Sequence, residues 1–398
     1  MELYLGDCLE EMKKIPDGSV DLVLTDPPYE LGFMGKSWDS TGIANNVDVW
    51  KECLRVLKPG GYLLSFGGTR TYHRMASAIE DAGFEVRDMI EWVYGSGFPK
   101  SLNIGKVADK FLKTGNASWN GTGDSSNGAL GYSKLQHKQD YRPEDYSNRH
   151  QNKDKITEEK AKQWEGWGTA LKPAHEPICM ARKPLAEKTV AENCLKYGTG
   201  GINIDESRVD SGDSDGLYRK PSTPNKTSVQ MNMSQTVGTI TDNYLQGRFP
   251  ANLIHDNSEE VRECFPNESE RFFKSCIYQA KASKSERNKG CEELEEKERI
   301  DYGGFHSEKG LIENNRNPEN RKPTTNNHPT VKPLELMSYL IKMVTPKGGI
   351  VLDPFAGSGS TLVAAKQNGY QYIGIEMTEE YIPIIEARLK SENNLFNI

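Results

Sequence analysis

The sequence predicts an α/β protein built on a doubly wound, mostly parallel sheet, and three observations carry that prediction. An apolar run, Val20–Thr25, stops at Asp26-Pro27-Pro28-Tyr29, as a buried strand stops at a turn. A second run, Ile350–Leu352, opens into Asp353-Pro354-Phe355-Ala356-Gly357-Ser358-Gly359, a glycine turn leading into a helix from about Ser360. A further strand, Gln371–Ile375, ends in Glu376, 19 residues after Gly357.

Each element follows in order. Glu2–Leu5 reads as a strand and Leu9–Lys14 as a short helix before Val20–Thr25. A helix near Val49–Leu57 is broken by Lys58-Pro59-Gly60-Gly61, and the strand Tyr62–Phe66 ends at Gly67-Gly68. A helix from about Thr71 to Ala82 leads to a strand, Phe84–Tyr94. Residues 101–164 lose all sustained period, and Asn116–Gln151 reads as a mobile insertion. Order resumes in 165–190, where Lys172–Lys183 predicts a strand pairing with Glu91–Tyr94 across the insertion. His175 and Glu176 read there as strand-end structural residues rather than a catalytic pair. Residues 191–324 show no βαβ pattern, and Glu292–Arg299 reads as a solvated helix face. The last stretch, 325–398, is strand–helix–strand–helix, ending in Tyr381–Leu389. For one parallel sheet to form from residues 1–100 and 325–398, the two ends of the chain must lie side by side.

Composition narrows the function. A chain of 398 residues buries a large core and suggests two or three domains. No apolar run reaches 18 residues, and no export signal is visible at the N-terminus. The seven cysteines are scattered, without C-x-x-C or a Cys/His cluster, so a reducing cytoplasm and no metal are expected. The net charge of −7 runs against nucleic-acid binding, but it is unevenly spread. From residue 101 to 324, basic and acidic residues balance at 34 each, so the excess acid lies outside that region. Phosphate contacts would come from local clusters, such as Lys281, Lys284 and Arg287, or Arg321-Lys322.

The chemistry of the two motifs is complementary. Asp26 and the Pro27 carbonyl can accept both N–H bonds of an exocyclic amino group, and Tyr29 can stack on its ring. The Gly357-Ser358-Gly359 turn lets backbone approach a ligand, and the Ser360-Thr361 helix start offers free N–H groups. An acid about 20 residues on, Glu376, suits ribose hydroxyls. Leu362 stands where a dinucleotide fingerprint needs its third glycine, which argues against a nicotinamide or flavin enzyme.

Together these features resemble amino-methylating DNA methyltransferases, which act on adenine N6 or cytosine N4 with S-adenosyl-L-methionine. The order, Asp-Pro-Pro-Tyr first and glycine turn last, resembles their circularly permuted beta class. The resemblance implies the Rossmann-like S-adenosylmethionine-dependent methyltransferase fold, with a target-recognition region over 191–324. It implies catalytic roles for Asp26, Pro27, Pro28 and Tyr29. His328-Pro329-Thr330-Val331-Lys332 resembles the segment placed against the methionine end of the cofactor, and Asp7 the acid that contacts its adenine. Asp353, Phe355, Gly357, Ser358, Gly359, Ser360, Thr361 and Glu376 complete the implied cofactor set. Lys36 and Trp38, beside the presumed target pocket, join Lys281, Lys284 and Arg287 as expected DNA contacts.

Duplex DNA is the implied partner, in a bacterial or phage-encoded cytoplasmic enzyme. A homodimer and a restriction endonuclease partner stay open. No cysteine follows a proline, which excludes cytosine-C5 chemistry. Asp at the first motif position favours adenine N6, with cytosine N4, an RNA or protein amino group, or a silent DNA-binding module as alternatives.

Overall fold

In the chain, β1 (Glu2–Leu5) leads through α1 (Cys8–Met12) to β2 (Val20–Thr25). Then come α2 (Val47–Val56), β3 (Leu57–Phe66), α3 (Tyr72–Asp81) and β4 (Glu85–Val93). After α4 (Ile104–Thr114) and α5 (Glu159–Lys162), β5 (His175–Arg182) precedes α6 (Val190–Tyr197). The remainder is β6 (Leu253–His255), α7 (Glu259–Arg262), β7 (Lys274–Ser275), α8 (Lys284–Asn288) and α9 (Leu334–Val344). It closes with β8 (Ile350–Asp353), α10 (Ser360–Gln367), β9 (Gln371–Glu376) and α11 (Ile382–Ser391). This computed structural model describes residues 1–30, 41–95, 101–115, 156–209, 247–276, 284–295, 325–328 and 330–392.

One sheet holds all nine strands in the order β1-β9-β8-β2-β3-β5-β4-β6-β7. Every neighbouring pair is parallel except the two that β5 makes with β3 and β4. The head and tail of the chain do meet: β1 pairs with β9, Leu5 opposite Glu376, and β8 lies against β2. The returning strand also pairs as expected, Trp92 opposite Glu176 and Val93 opposite His175.

Strand alternation divides the core between the two faces. Leu22, Leu24, Leu64, Phe66, Ile178 and Met180 pack with α9 and α10 on one face. Val23, Leu63, Cys179 and Ala181 pack with α1, α2 and α3 on the other. Trp50 of α2 is fully buried there and donates its indole N–H to the Ala44 carbonyl at 2.9 Å. Burying one such large apolar side chain contributes roughly 1.5–3 kcal/mol. Helices are seated by local caps: Asp7 accepts from the Leu9 N–H, and Thr189 and Glu192 form a reciprocal capping box on α6.

Three expectations are corrected. The Pro59-Gly60-Gly61 stretch lies inside β3, not in a turn before it. Pairing jumps from Val20–Leu57 to Leu22–Tyr62, a bulge that absorbs the extra residues where proline lacks its N–H. The span 191–324 is not wholly irregular, because β6 and β7 extend the sheet parallel to β4. Both strands are too short to show a period. Glu292–Glu295 forms turns rather than a helix, and 296–299 lie outside the described residues.

The chain divides into two units. One comprises Met1–Gly95, His175–Leu294 and His328–Ile398, and carries the sheet; the other comprises Ser96–Ala174 and Glu295–Asn327. Within the second, α4 is capped by Asn103 and ends at Gly115, which adopts φ 69°. Its Asp109 carboxylate accepts the Thr157 and Glu158 N–H groups at 2.8 and 2.7 Å. The stretch 101–164, expected to lack a sustained period, thus holds α4 and α5, and the expected mobile insertion, Asn116–Gln151, lies outside the described residues. Among the described residues, no helix is long and apolar enough to cross a membrane.

Candidate functional site

Parallel strands deliver their C-terminal ends to one edge of a sheet, and ligands of such sheets bind there. Thr25 ends β2 and Asp353 ends β8, and the Thr25 hydroxyl donates to Asp353 Oδ1 at 2.7 Å. This bond fixes the start of the Asp26-Pro27-Pro28-Tyr29 corner beside the start of the glycine turn. The two motifs thus open at the same edge, at neighbouring strand ends. Because β5 runs against its neighbours, its first residues, His175 and Glu176, reach that edge as well.

Around Asp26 four side chains form a closed network. The Tyr29 hydroxyl donates to Asp26 Oδ1 at 2.8 Å and lies 3.1 Å from Glu176 Oε2. Lys332 Nζ donates to Asp26 Oδ2 at 2.6 Å and stands 3.2 Å from both Glu176 Oε2 and the Tyr29 hydroxyl. Its ammonium also lies 4.8 Å from the Phe66 ring centroid and 5.5 Å from that of Tyr29. The Lys332 side chain is 9% exposed and that of Asp26 20%, so the ammonium is buried while its carboxylate partner is partly open to solvent. Burial pulls the Lys332 pKa down, but the Asp26 and Glu176 carboxylates outweigh it and leave it raised. Burial, then the same two carboxylates, holds the Tyr29 phenol well above its ordinary range. The Thr71 hydroxyl pins the Tyr29 carbonyl at 2.7 Å, and Glu30, next in the chain, takes the left-handed φ of 56°.

The glycine turn is built from both sides. Gly357 and Gly359 adopt φ of 54° and 76°, which favour glycine. A Cβ on Gly357 would stand 2.9 Å from the His328 imidazole, so that ring lies directly against the turn. Burial lowers the His328 pKa to about 4, and its Nδ1 contacts the Thr330 carbonyl. Buried Arg388 supports the turn from α11, donating to the Ser358 carbonyl at 2.6 Å and lying 3.2 Å from the Ser358 and Ser360 hydroxyls. Glu376 accepts the Gly357 N–H at 2.7 Å and the Thr378 N–H at 2.8 Å, and burial raises its pKa. Asp353 is 3% exposed and accepts from Thr25, Thr361 and the Phe355 N–H. Burial raises its pKa to about 6. It organises the turn from beneath.

The missing third glycine has a structural counterpart. Leu362 packs against Gly374 of β9, where any Cβ would collide with Leu362 Cδ1. The close helix–strand approach is made by a glycine on the strand instead of one on the helix. Free N–H groups at the start of α10, the positive-φ glycines and an acid at the adjacent strand end fit an adenosyl cofactor. Asp7, expected at the adenine, follows β1 beside Glu376 but uses its carboxylate to cap α1.

Several expectations shift. Lys332, expected on the cofactor, is bonded to Asp26. Glu176, read as a strand-end structural residue, belongs to the Asp26 network, whereas His175 faces Glu91 at 3.5 Å and keeps a strand-end position. Among the expected DNA contacts, Lys36, Trp38 and Lys281 lie outside the described residues, and for Lys284 only the backbone, in α8, is described. Arg287 is buried, 8% exposed, and acts on the His328 imidazole rather than presenting a surface cation. Sequence reasoning missed Glu176 and Arg388. Only the reversed direction of β5 could have signalled the first, and an arginine on the apolar face of the last helix the second. Among the described residues, no group of three or more His, Cys, Asp or Glu is placed to hold a metal ion.

The sequence has known relatives. Residues 20–387 match the model of the N6/N4 family described as DNA methylase. The type II methyltransferase M.HindIII of Haemophilus influenzae is similar at 22% identity over 98% of this chain and 96% of its own length. The type II methyltransferase M2.DpnII of Streptococcus pneumoniae is 47% identical over 17% of this chain, a quarter of its own length. The crystal structure of M1.HpyAVI with S-adenosylmethionine aligns over 98% of both chains, at 16% identity and a TM-score of 0.37. The match to the family model covers most of the sequence, so the chain belongs to the N6/N4 DNA methylase family, amino-methylating DNA methyltransferases whose methyl donor is S-adenosyl-L-methionine.

Proposed function

We propose that this enzyme methylates the exocyclic N6 of adenine at a specific site in duplex DNA. The observation that carries the reading is the Thr25–Asp353 bond, which seats Asp26 beside the turn at Gly357. An aromatic amino group is a poor nucleophile because its lone pair is delocalised into the ring. Asp26 and the Pro27 carbonyl accept its two N–H bonds and turn the lone pair toward the donor. The cofactor supplies an electrophilic methyl on a positively charged sulfur. Transfer is direct, and Asp26 stabilises the charge that develops on the nitrogen and receives the proton it releases. A base inside a duplex cannot reach this edge, so it is flipped out, and Tyr29 stacks on it, worth about 1–3 kcal/mol. Glu376 would hold the ribose hydroxyls of the bound donor, and the N–H groups at the start of α10 would supply donors to its methionine carboxylate.

Adenine is favoured over cytosine N4 by the aspartate at position 26, a serine being commoner in cytosine-N4 enzymes. Residues 191–324 read the target sequence, including the loops around β6 and β7. The relatives named as type II methyltransferases support a place in a restriction-modification system. The test is wild-type protein with labelled S-adenosylmethionine and duplex DNA, RNA and protein acceptors, followed by nucleoside analysis. N6-methyladenine in DNA is expected. N4-methylcytosine overturns the base assignment, and label confined to RNA or protein overturns the DNA substrate.

A further inference from the structure

Two carboxylates, Asp26 and Glu176, face one buried ammonium, Lys332. Asp26 alone would neutralise it. Besides lying 3.1 Å from the Tyr29 hydroxyl, the second carboxylate offers the ammonium another partner when the first is given up. Asp26 is also the group that the target amine requires, under the reading above on which this inference rests. In the base-free protein its Oδ1 is taken by Tyr29 at 2.8 Å and its Oδ2 by Lys332 at 2.6 Å. A carboxylate oxygen has room for two donors, but an arriving amine has to share Oδ2 with an ammonium 2.6 Å away, a crowding that ends if Lys332 moves off. Lys332 Nζ already lies 3.2 Å from Glu176 Oε2, within ion-pair reach, so Glu176 can hold the ammonium as it leaves Asp26. Without Glu176, the displaced ammonium would be left buried and unpaired.

We propose that Lys332 stands in for the target amine on Asp26, and that Glu176 is the positioning residue that takes Lys332 over when the flipped base arrives. Both amines present N–H donors to the same oxygen, so the stand-in keeps Asp26 oriented before DNA binds. The geometry depends on β5 running against its neighbours, which brings Glu176 to the edge where Asp26 lies.

The test measures methyl transfer to plasmid DNA and the KM for S-adenosylmethionine in wild type, Glu176→Gln, Glu176→Asp, Lys332→Met and the Glu176→Gln/Lys332→Met double variant. Glu176→Gln keeps the Lys332–Asp26 pair one to one and is expected to fold. Its kcat is expected to fall at least tenfold with the cofactor KM within twofold, and Glu176→Asp to recover at least a third of wild-type kcat. In the Lys332→Met background the Glu176→Gln loss is expected to shrink below threefold, because no ammonium needs a second partner. A Glu176→Gln kcat within twofold of wild type overturns the inference. So does a loss that appears in the cofactor KM, a loss undiminished in the Lys332→Met background, or abolition of transfer by Lys332→Met alone. If the Lys332→Met chains do not fold, the contrast between Glu176→Gln and Glu176→Asp decides. An active wild type with independent losses overturns this inference and leaves the proposed function standing; a wild type that transfers no methyl to DNA overturns both.

Discussion

Asp353 makes the fold pH-sensitive in a direction opposite to most paired carboxylates. Burial raises its pKa from 3.8 to about 6, against the pull of the Thr361 and Thr25 hydroxyls and the Phe355 N–H. The folded chain therefore holds a proton that the unfolded chain has already released over that interval, and stability falls as pH rises. At ~1.36 kcal/mol per pH unit, full ionisation costs about 3 kcal/mol. About 1.3 kcal/mol of this is lost between pH 5 and pH 7, and the curve flattens above pH 7. Asparagine keeps the shape and one acceptor, with rotatable threonine hydroxyls beside it, and does not titrate. Urea unfolding of wild type and Asp353→Asn at pH 5 and pH 7 isolates the effect. The variant should gain on wild type by about 1.3 kcal/mol across that window. An unchanged difference at the two pH values would refute the reasoning.

Other expectations concern catalysis, cofactor and packing. Asp26→Ala should retain S-adenosylmethionine binding by calorimetry within about threefold yet lose about 10²–10³ in kcat, the range for removing one preorganised group; turnover near wild type removes Asp26 from the mechanism. Glu376→Ala should weaken cofactor binding about tenfold or more, since a charged acceptor is worth roughly 1.5–3 kcal/mol, and an unchanged dissociation constant contradicts the ribose assignment. Gly374→Ala should destabilise by about 1–3 kcal/mol through overpacking against Leu362, with Leu362→Ala restoring part of the loss in the double variant; a melting temperature equal to wild type would show that β9 and α10 can separate.

Much of the sheet was legible because the strands beside the motifs are long enough to show themselves. Val20–Thr25, Ile350–Asp353 and Gln371–Glu376 are apolar runs bounded by glycine, proline or acid, and they form β2, β8 and β9 close to their expected bounds. The side-by-side chain ends followed from the need to complete one sheet. By contrast, β6 and β7 have three and two residues, too few for periodicity, and only pairing, of β6 with β4 and of β7 with β6, reveals them. At the site, sequence marks the residues that sit on a motif and misses those brought there by topology. Glu176 is 147 residues from the Tyr29 hydroxyl it meets, and Lys332, although on a motif, finds its partner Asp26 at a separation of 306. Arg287 looked like a surface cation because charge composition carries no information about burial.

The seam between β2 and β8 also sets a timetable for the growing polypeptide. Its partners, Thr25 and Asp353, are 328 residues apart, so β2 leaves the ribosome long before the strand that will cover its flank exists. β3 can protect the other flank early. The open side must wait until β8 has been made, and such distant pairings are slow to form and prone to aggregate while they wait. The edge that holds both motifs is therefore not assembled until β8 has joined β2.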